Sequence, residues 1–437
     1  MKIKAVLMNI LGFASTLLIC FFLVSQAGAK PNEPYSKDQV QKRLDALEKY
    51  TKTLAIVEQY YVDDENISDL IDKSLSGLLS NLDAHSSFLN EKDFQDLKIQ
   101  TSGEFGGLGI SVGMKDGALS VIAPIEGTPA DRAGIKAGDV ILRIDGEATL
   151  GMNLNDAVDK MRGKPKSTIN ITIYRKGGEK PFDIKLTREI IKIESVYSKL
   201  IENEDILYLR VTSFDKKVSE EAKKQIQKNP KIKGIILDLR NNPGGLLDQA
   251  VGLTNLFVDK GVIVSQKGKN EADNREYPAD PRQKVTDVPL VVLVNEGSAS
   301  ASEIVSGALQ DLKRAIIIGT NTFGKGSVQS IIPLSNTQAL RLTVARYYLS
   351  SGRTIQAVGV KPDIEVLAGK VNVVDNNFSI KESDLKLHLE SELEKIQPNE
   401  KKTNSKTDKN IITQTQIYDD AQLKSAVDAI KILSIKG

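Results

Sequence analysis

Apolar residues recur at helical spacing from Val40 through Leu44, Leu47, Tyr50, Leu54 and Val57 to Tyr61, and again from Ile67 through Leu70, Ile71, Leu75 and Leu78 to Leu82. A period near 3.6 predicts two amphipathic helices, in a helical region over 36–100. Such a region either forms a layer on the main body or supplies a contact between two copies of the chain. The pattern then changes. Short alternating runs predict strands over 108–112, 119–123, 140–144 and 169–174, with brief helical patterns over 129–133 and 153–161. These compose a small β-rich module over 103–190. From about residue 191 to 370, continuous apolar runs predict strands over 206–211, 234–239, 290–294, 315–318 and 340–347, and a helix follows the fourth run's predecessor from residue 300. Buried strands alternating with helices predict an α/β core. Residues 371–437 turn polar, with a final amphipathic helix over 419–433 carrying Leu423, Val427, Ile430 and Ile432. No internal repeat is present.

The first 29 residues stand apart. Lys2 and Lys4 precede an apolar stretch over 5–24, and Ala27-Gly28-Ala29 is a small-residue cleavage site. This is the layout of a secretory signal. The stretch is also about as long as a membrane span, so a retained anchor is the alternative, although Asn9, Gly12, Ser15 and Thr16 interrupt it. Either form puts the body of the protein in the periplasm or another extracytoplasmic space. Cys20, the single cysteine, falls within this stretch. A mature form without it has no thiol, which excludes disulfides, thiol catalysis and cysteine-ligated metal. The net charge of +2 gives no nucleic-acid footprint.

Chemistry concentrates in a few motifs. Ser300, in Gly297-Ser298-Ala299-Ser300-Ala301-Ser302-Glu303, follows an apolar strand and opens a helix. That is the layout of a nucleophile on a strand-to-helix turn, and equally of a capping box, Ser300-x-x-Glu303. A serine needs a base, and the chain has only two histidines, His85 and His388. His85 lies just past a helix, where a structural role suffices. Lys325 lies in Thr322-Phe323-Gly324-Lys325-Gly326-Ser327-Val328-Gln329, and a lysine can act as a base once burial lowers its pKa toward neutrality. The spacing is not that of a phosphate loop. Asp238-Leu239-Arg240-Asn241-Asn242-Pro243-Gly244-Gly245 follows a strand. Its glycines either aim backbone N–H groups at an oxyanion or make an ordinary tight turn. Gly106-Gly107-Leu108-Gly109-Ile110 opens the β-rich module as a peptide-carboxylate loop with β-augmentation, or as a plain hairpin start.

Taken in order, these motifs resemble the carboxyl-terminal processing peptidases, tail-specific proteases with a PDZ domain. The likeness runs over about residues 60–366 and includes Pro129-Ala130-Asp131-Arg132-Ala133-Gly134-Ile135-Lys136-Ala137-Gly138-Asp139 and Gly359-Val360-Lys361-Pro362-Asp363-Ile364. Ala84 stands where the family more often has proline. The resemblance implies an α/β fold: a crotonase/ClpP-like protease core, an inserted PDZ domain and an N-terminal helical region. It implies a serine endopeptidase that cleaves exported proteins near the C-terminus. Ser300 matches the nucleophile, Lys325 the general base, and Gln329, one turn further on if the segment is helical, the residue that orients the lysine. The N–H of Ala301 and that of Gly244 or Gly245 match the oxyanion donors. Gly106, Gly107, Leu108, Gly109 and Ile110 match the loop that holds a free, apolar substrate C-terminus, and Arg162 a link between PDZ occupancy and the active site. Glu303 matches a position near the site. No cofactor and no metal is implied, and a homo-oligomer is compatible. The competing readings are a PDZ adaptor with an inactive protease core, disfavoured by the intact Ser300, Lys325 and Gln329, and a crotonase-like acyl-CoA enzyme, disfavoured by the signal segment. The shortage of histidine disfavours a trypsin-like mechanism.

Overall fold

The computed structural model of the chain describes residues 36–178, 180–371 and 410–435. The signal segment, Cys20 and His388 lie outside them. The described residues divide into two compact units.

The first unit carries residues up to Phe94 together with Ser265–Glu276 and Ser327–Tyr348. Helices α1 (Lys37–Tyr60) and α2 (Ile67–Ser80) form where the apolar spacing predicts them. Ser36 and Gln39 close a capping box at the start of α1, satisfying two N–H groups that the helix leaves orphaned. No residue of α1 is buried. After β1 (Ser87–Leu89) comes α3 (Glu91–Ser102). Residues 265–276 and 327–348 pack within this unit, where β1 pairs antiparallel with residues 339–341 of a distant strand. Pairing across some 250 residues leaves no local periodicity to read.

The second unit contains the β-rich module and the α/β core. In the module, β2 (Glu104–Gly107), β3 (Ile110–Lys115), β4 (Ala118–Pro124), α4 (Pro129–Arg132), β5 (Val140–Ile144), β6 (Glu147–Ala148), α5 (Leu154–Met161), β7 (Thr168–Tyr174), β8 (Phe182–Thr187) and β9 (Glu189–Lys192) follow in turn. The sheet order is β3-β4-β5-β7-β8, with β6 on β5 and a separate β2–β9 pair. Leu119, Ile141, Ile169, Ile171 and Ile173, which alternate with polar neighbours as a half-buried strand requires, fill its core. The sequence reading missed β8 and β9, although Phe182, Ile184 and Leu186 alternate with polar residues along β8.

The rest of the chain contributes β10 (Val196–Ile201), β11 (Ile206–Val211), α6 (Val218–Gln227), β12 (Gly234–Asp238), α7 (Leu247–Asn255), β13 (Val262–Gly268), β14 (Arg275–Pro278), β15 (Leu290–Val294), α8 (Ala301–Asp311), β16 (Ile316–Gly319), β17 (Ser327–Pro333), β18 (Ala339–Leu349) and β19 (Ile364–Glu365), of which β17, β18 and parts of β13 and β14 belong to the first unit and the others to the α/β core. It ends with β20 (Ile411–Ile412), α9 (Gln414–Tyr418) and α10 (Ala421–Ile435). Among the described residues its sheet runs β19-β16-β15-β12-β11-β10-β20, parallel except between β10 and β11. Every residue of β12 and β15 is buried, which is why these strands read as unbroken apolar runs.

The final helix forms over 421–435, where the spacing predicts one over 419–433, and residues 410–435 pack on the core. β20 extends the sheet beside β10, and Leu423, Ala426, Val427 and Ile430 of α10 join one hydrophobic cluster with Ile236, Val291 and Leu293. A Cβ on Gly234 would lie 2.3 Å from Ile430, so the helix crosses there by virtue of the missing side chain. The segment holding Gln329 is not a helix. It is β17, paired antiparallel with β18, because the β-branched Val328, Ile331 and Ile332 suit a strand better than a helix.

Candidate active site

β12, β15 and β16 are consecutive parallel neighbours, with Asp238 opposite Leu293 and Val294 opposite Gly319. The loops at their carboxyl ends therefore emerge side by side, the usual place for a site in such a sheet. They carry Gly244 and Gly245, then Ser300, then Lys325. One strand order thus gathers residues spread over 80 positions of sequence.

Ser300 occupies φ 55°, ψ −109°, a conformation that a non-glycine residue adopts only where its surroundings force it. Such a turn offers the side chain outward at the start of α8. At the capping box that opens α8, the Ser300 N–H donates to Glu303 Oε2 (2.8 Å) and the Glu303 N–H donates to the Ser300 carbonyl (2.9 Å).

Glu303 is fully buried. Its Oε2 accepts the N–H groups of both Ser300 and Lys325 (2.8 and 2.9 Å). Oε1 accepts the Gly324 N–H and the Thr322 hydroxyl, each at 2.6 Å. One carboxylate thereby fastens the serine turn to the lysine loop, with four donors around a charge that burial would otherwise make very costly. The loop is close-packed as well. A Cβ on Gly326 would lie 2.6 Å from the Gln356 nitrogen.

Gly244 presses against the serine turn. A Cβ there would lie 2.7 Å from the Ala299 oxygen and 2.9 Å from both the Ala301 nitrogen and the Ser300 Cβ. Asn242, fully buried, holds this loop: Nδ2 donates to the Val211 carbonyl and Oδ1 accepts the Gly244 N–H, both at 2.9 Å. Its carbonyl accepts the Ala299 N–H and the Ser302 hydroxyl. Gly245 bridges Phe214 in parallel fashion through its flanking groups, the Gly244 carbonyl and the Leu246 N–H, which turns the N–H of Gly245 itself to the opposite side.

Asp238 anchors the same loop from below. Fully buried, it accepts from Tyr208 Oη (2.6 Å) and Arg240 Nη2 (2.6 Å), and Arg240 reaches on to Asp420 and Gln422 of the C-terminal helix region. Burial first, then the adjacent Asp238 charge, pushes the Tyr208 phenol far above its ordinary value, so it remains a donor. Sequence reading missed Asn242 and this network; a buried Asp-x-Arg pair next to a glycine turn is a signal only once its burial is known.

The remaining sequence candidates fall as follows. Gln329, in the first unit, donates from Nε2 to Ser327 Oγ (2.9 Å) and Thr343 Oγ1 (3.2 Å). His85, also in the first unit, lies in a turn built by Asp83, whose carboxylate accepts the His85 and Ser86 N–H groups. In the β-rich module, Gly106 to Ile110 runs from β2 into β3. Gly109 has φ +73°, and a Cβ there would lie 2.3 Å from Thr128. Ile110 and Val112 of β3 and Leu154 and Val158 of α5 are half-buried and pack against the module's core. Arg162 pairs with Asp96 (3.0 Å), lies over the Phe105 ring (5.2 Å), and leaves its Nε buried without a partner.

Residues 106–186 match the PDZ domain model, and 205–366 match peptidase family S41, which makes this a serine-type peptidase with a PDZ domain. A carboxy-terminal-processing protease of Bartonella bacilliformis is 44% identical over 87% of each chain. The carboxy-terminal processing protease CtpA of Bacillus subtilis is 35% identical, covering 73% of this chain and 68% of its own. The photosystem II D1 C-terminal processing protease, a solved structure, is 30% identical over 72% of this chain and 92% of its own, with a TM-score of 0.41. The chain belongs to the S41 family of carboxy-terminal processing proteases.

Proposed function

We propose that this protein cleaves polypeptides near a free C-terminus by Ser–Lys catalysis, with Ser300 as nucleophile and Lys325 as general base. The observation that carries this reading is the single Glu303 oxygen shared by the N–H groups of Ser300 and Lys325. It makes the geometry of one loop depend on the other, as a nucleophile and its base require. Lys325 Nζ takes the Ser300 proton as Oγ bonds to the scissile carbonyl carbon. The ammonium then protonates the leaving amine, and the same nitrogen activates the water that releases the acyl group.

The oxyanion takes two donors. The first is Ala301 N–H, one of the unpaired donors at a helix start. The second is Gly245 N–H, since that of Gly244 is already bonded to Asn242. The orienting role of Gln329 follows from the family resemblance alone. The Gly106–Ile110 loop binds the substrate's terminal carboxylate, and the half-buried Ile110, Val112, Leu154 and Val158 nearby favour apolar terminal residues. The signal-like first 29 residues support action outside the cytoplasm.

The test is turnover of a peptide with a free apolar C-terminus by the full chain, beside Ser300→Ala, Lys325→Ala and Lys325→Arg. All three variants should be inactive and folded, the last because arginine stays protonated. Substantial turnover by Lys325→Ala would rule the mechanism out.

A further inference from the structure

Arg188 lies between β8 and β9 of the PDZ domain and is 7% exposed. Its Nε and Nη2 donate to the carbonyls of Met161 (2.9 Å) and Lys160 (2.8 Å), the last residues of α5. Nη1 donates to the Thr168 carbonyl and Ser167 Oγ, both at 3.1 Å. Every one of these partners is neutral, and among the described residues no carboxylate pairs with Arg188. Other arginines of this region are treated differently: Arg132 meets Glu189, Arg162 meets Asp96 and Arg175 meets Asp139. A buried charge without a counter-ion is costly. The end of α5 offsets part of it through its dipole. The net positive charge that remains favours an anion nearby.

The surroundings indicate which anion. The loop after α5 wraps the guanidinium, with the Arg188 N–H donating to Ser167 and its carbonyl accepting from Lys166. The backbone of Gly163 passes so close that a Cβ there would lie 2.9 Å from Arg188 Nε. The Gly163 N–H in turn donates to the Gly106 carbonyl (3.0 Å), and a Cβ on Gly106 would lie 2.0 Å from the Gly163 oxygen. From the other side, β9 pairs with β2 so that Gly107 faces Glu189, the residue after Arg188. The uncompensated cation is thus two contacts from the first glycine of the carboxylate loop by one route, and one residue from the partner of the second by the other.

We propose that Arg188 is a specificity-determining residue of the PDZ site: its buried charge selects a substrate ending in a free carboxylate, and its donors hold the loop that binds that group. This rests on C-terminal capture by the Gly106–Ile110 loop. The carboxylate accepts the loop N–H groups while Arg188 favours it through space. Neutral ligands gain only the hydrogen bonds. At an effective dielectric of about 20, a unit charge about 10 Å from an anion changes its affinity by about tenfold.

The experiment measures, by fluorescence anisotropy, binding of a fluorescein-labelled peptide ending in Val-Leu-Ala, as free acid and as C-terminal amide. The protein is the full chain carrying Ser300→Ala, alone and with Arg188→Met or Arg188→Lys. The parent should prefer the acid. Arg188→Met should lose about tenfold of that preference, chiefly through weaker acid binding. Arg188→Lys keeps the charge but not the fork, so both peptides should bind more weakly while the acid-to-amide ratio stays within about threefold of the parent. Circular dichroism checks the fold; if Arg188→Met does not fold, the lysine variant decides. A parent preference that survives intact in folded Arg188→Met, or that collapses in Arg188→Lys, overturns the role of Arg188 alone. A parent with no preference for the acid removes C-terminal capture, and the selective role of Arg188 with it.

Discussion

Replacing Glu303 with glutamine exchanges one oxygen for an amide nitrogen and preserves the side chain's volume. The carboxylate accepts four hydrogen bonds, two on each oxygen; the amide offers one acceptor and one donor group. If the nitrogen faces Ser300 and Lys325, two backbone N–H groups lose their acceptor. If it faces Thr322 and Gly324, only the Gly324 N–H does, because the Thr322 hydroxyl already accepts from the Val360 N–H (2.7 Å) and can accept from the amide too. The second orientation wins. One buried unsatisfied donor costs about 1–3 kcal/mol. The remaining bonds lose the strengthening that a charged acceptor gives, about 1 kcal/mol more. A net loss of about 2–4 kcal/mol should lower the melting temperature by about 5–10 °C. The orphaned donor adjoins Lys325, so the base loop shifts. A displacement of about 1 Å is worth about a hundredfold in rate, and kcat should fall accordingly with little change in KM. Calorimetry and peptide turnover on the folded variant give the two numbers. A Glu303→Gln protein that melts and turns over like the parent would refute the argument that this carboxylate holds nucleophile and base in register.

Three further outcomes follow from the geometry. Gly244→Ala should cut kcat by about a hundredfold or more, since φ +100° and contacts of 2.7–2.9 Å with the serine turn leave no room for a methyl group beside the proposed oxyanion donors; parental kinetics in a folded variant would show that this loop is not part of the site. Gly109→Ala should abolish binding of the free-acid peptide to the Ser300→Ala chain without unfolding the protease core, and retained affinity would remove the loop from substrate capture. The two Arg175 hydrogen bonds hold the Asp139 carboxyl below its ordinary 3.8, against the opposing effect of burial. A pKa lower in the folded than in the unfolded chain gives stability that is present above pH 3.8 and is lost as pH falls through the folded value. The PDZ domain should therefore lose thermal stability below about pH 4, and Asp139→Asn should flatten that dependence; an unchanged pH profile would contradict it.

Local pattern was sufficient for much of this molecule. Helical spacing located α1, α2 and α8, and unbroken apolar runs located β11, β12, β15 and β16, because burial of those elements is written in their own residues. The order of short motifs was sufficient to indicate the family, and residue chemistry singled out Ser300 and Lys325, since a serine after a buried strand and a lysine between glycines are unusual without a histidine to serve them. What only the tertiary structure decided depends on partners far away in the chain. Glu303 reads in sequence as half a helix cap; its oxygens also serve Thr322, Gly324 and Lys325, which arrive on a neighbouring strand's loop. Gly244 and Gly245 are indistinguishable in sequence until Asn242 takes the first N–H and the Phe214 bridge turns the second away. Arg188 is one arginine among many until its burial against carbonyls leaves its charge without a counter-ion. Gln329 lies on a strand because β18 pairs with it, and residues 410–435 complete the core because the edge of β10 and the face beneath Gly234 are open to receive them. A period along the chain records which side of an element is dry; which other element makes it dry is settled only when the sheet closes its order.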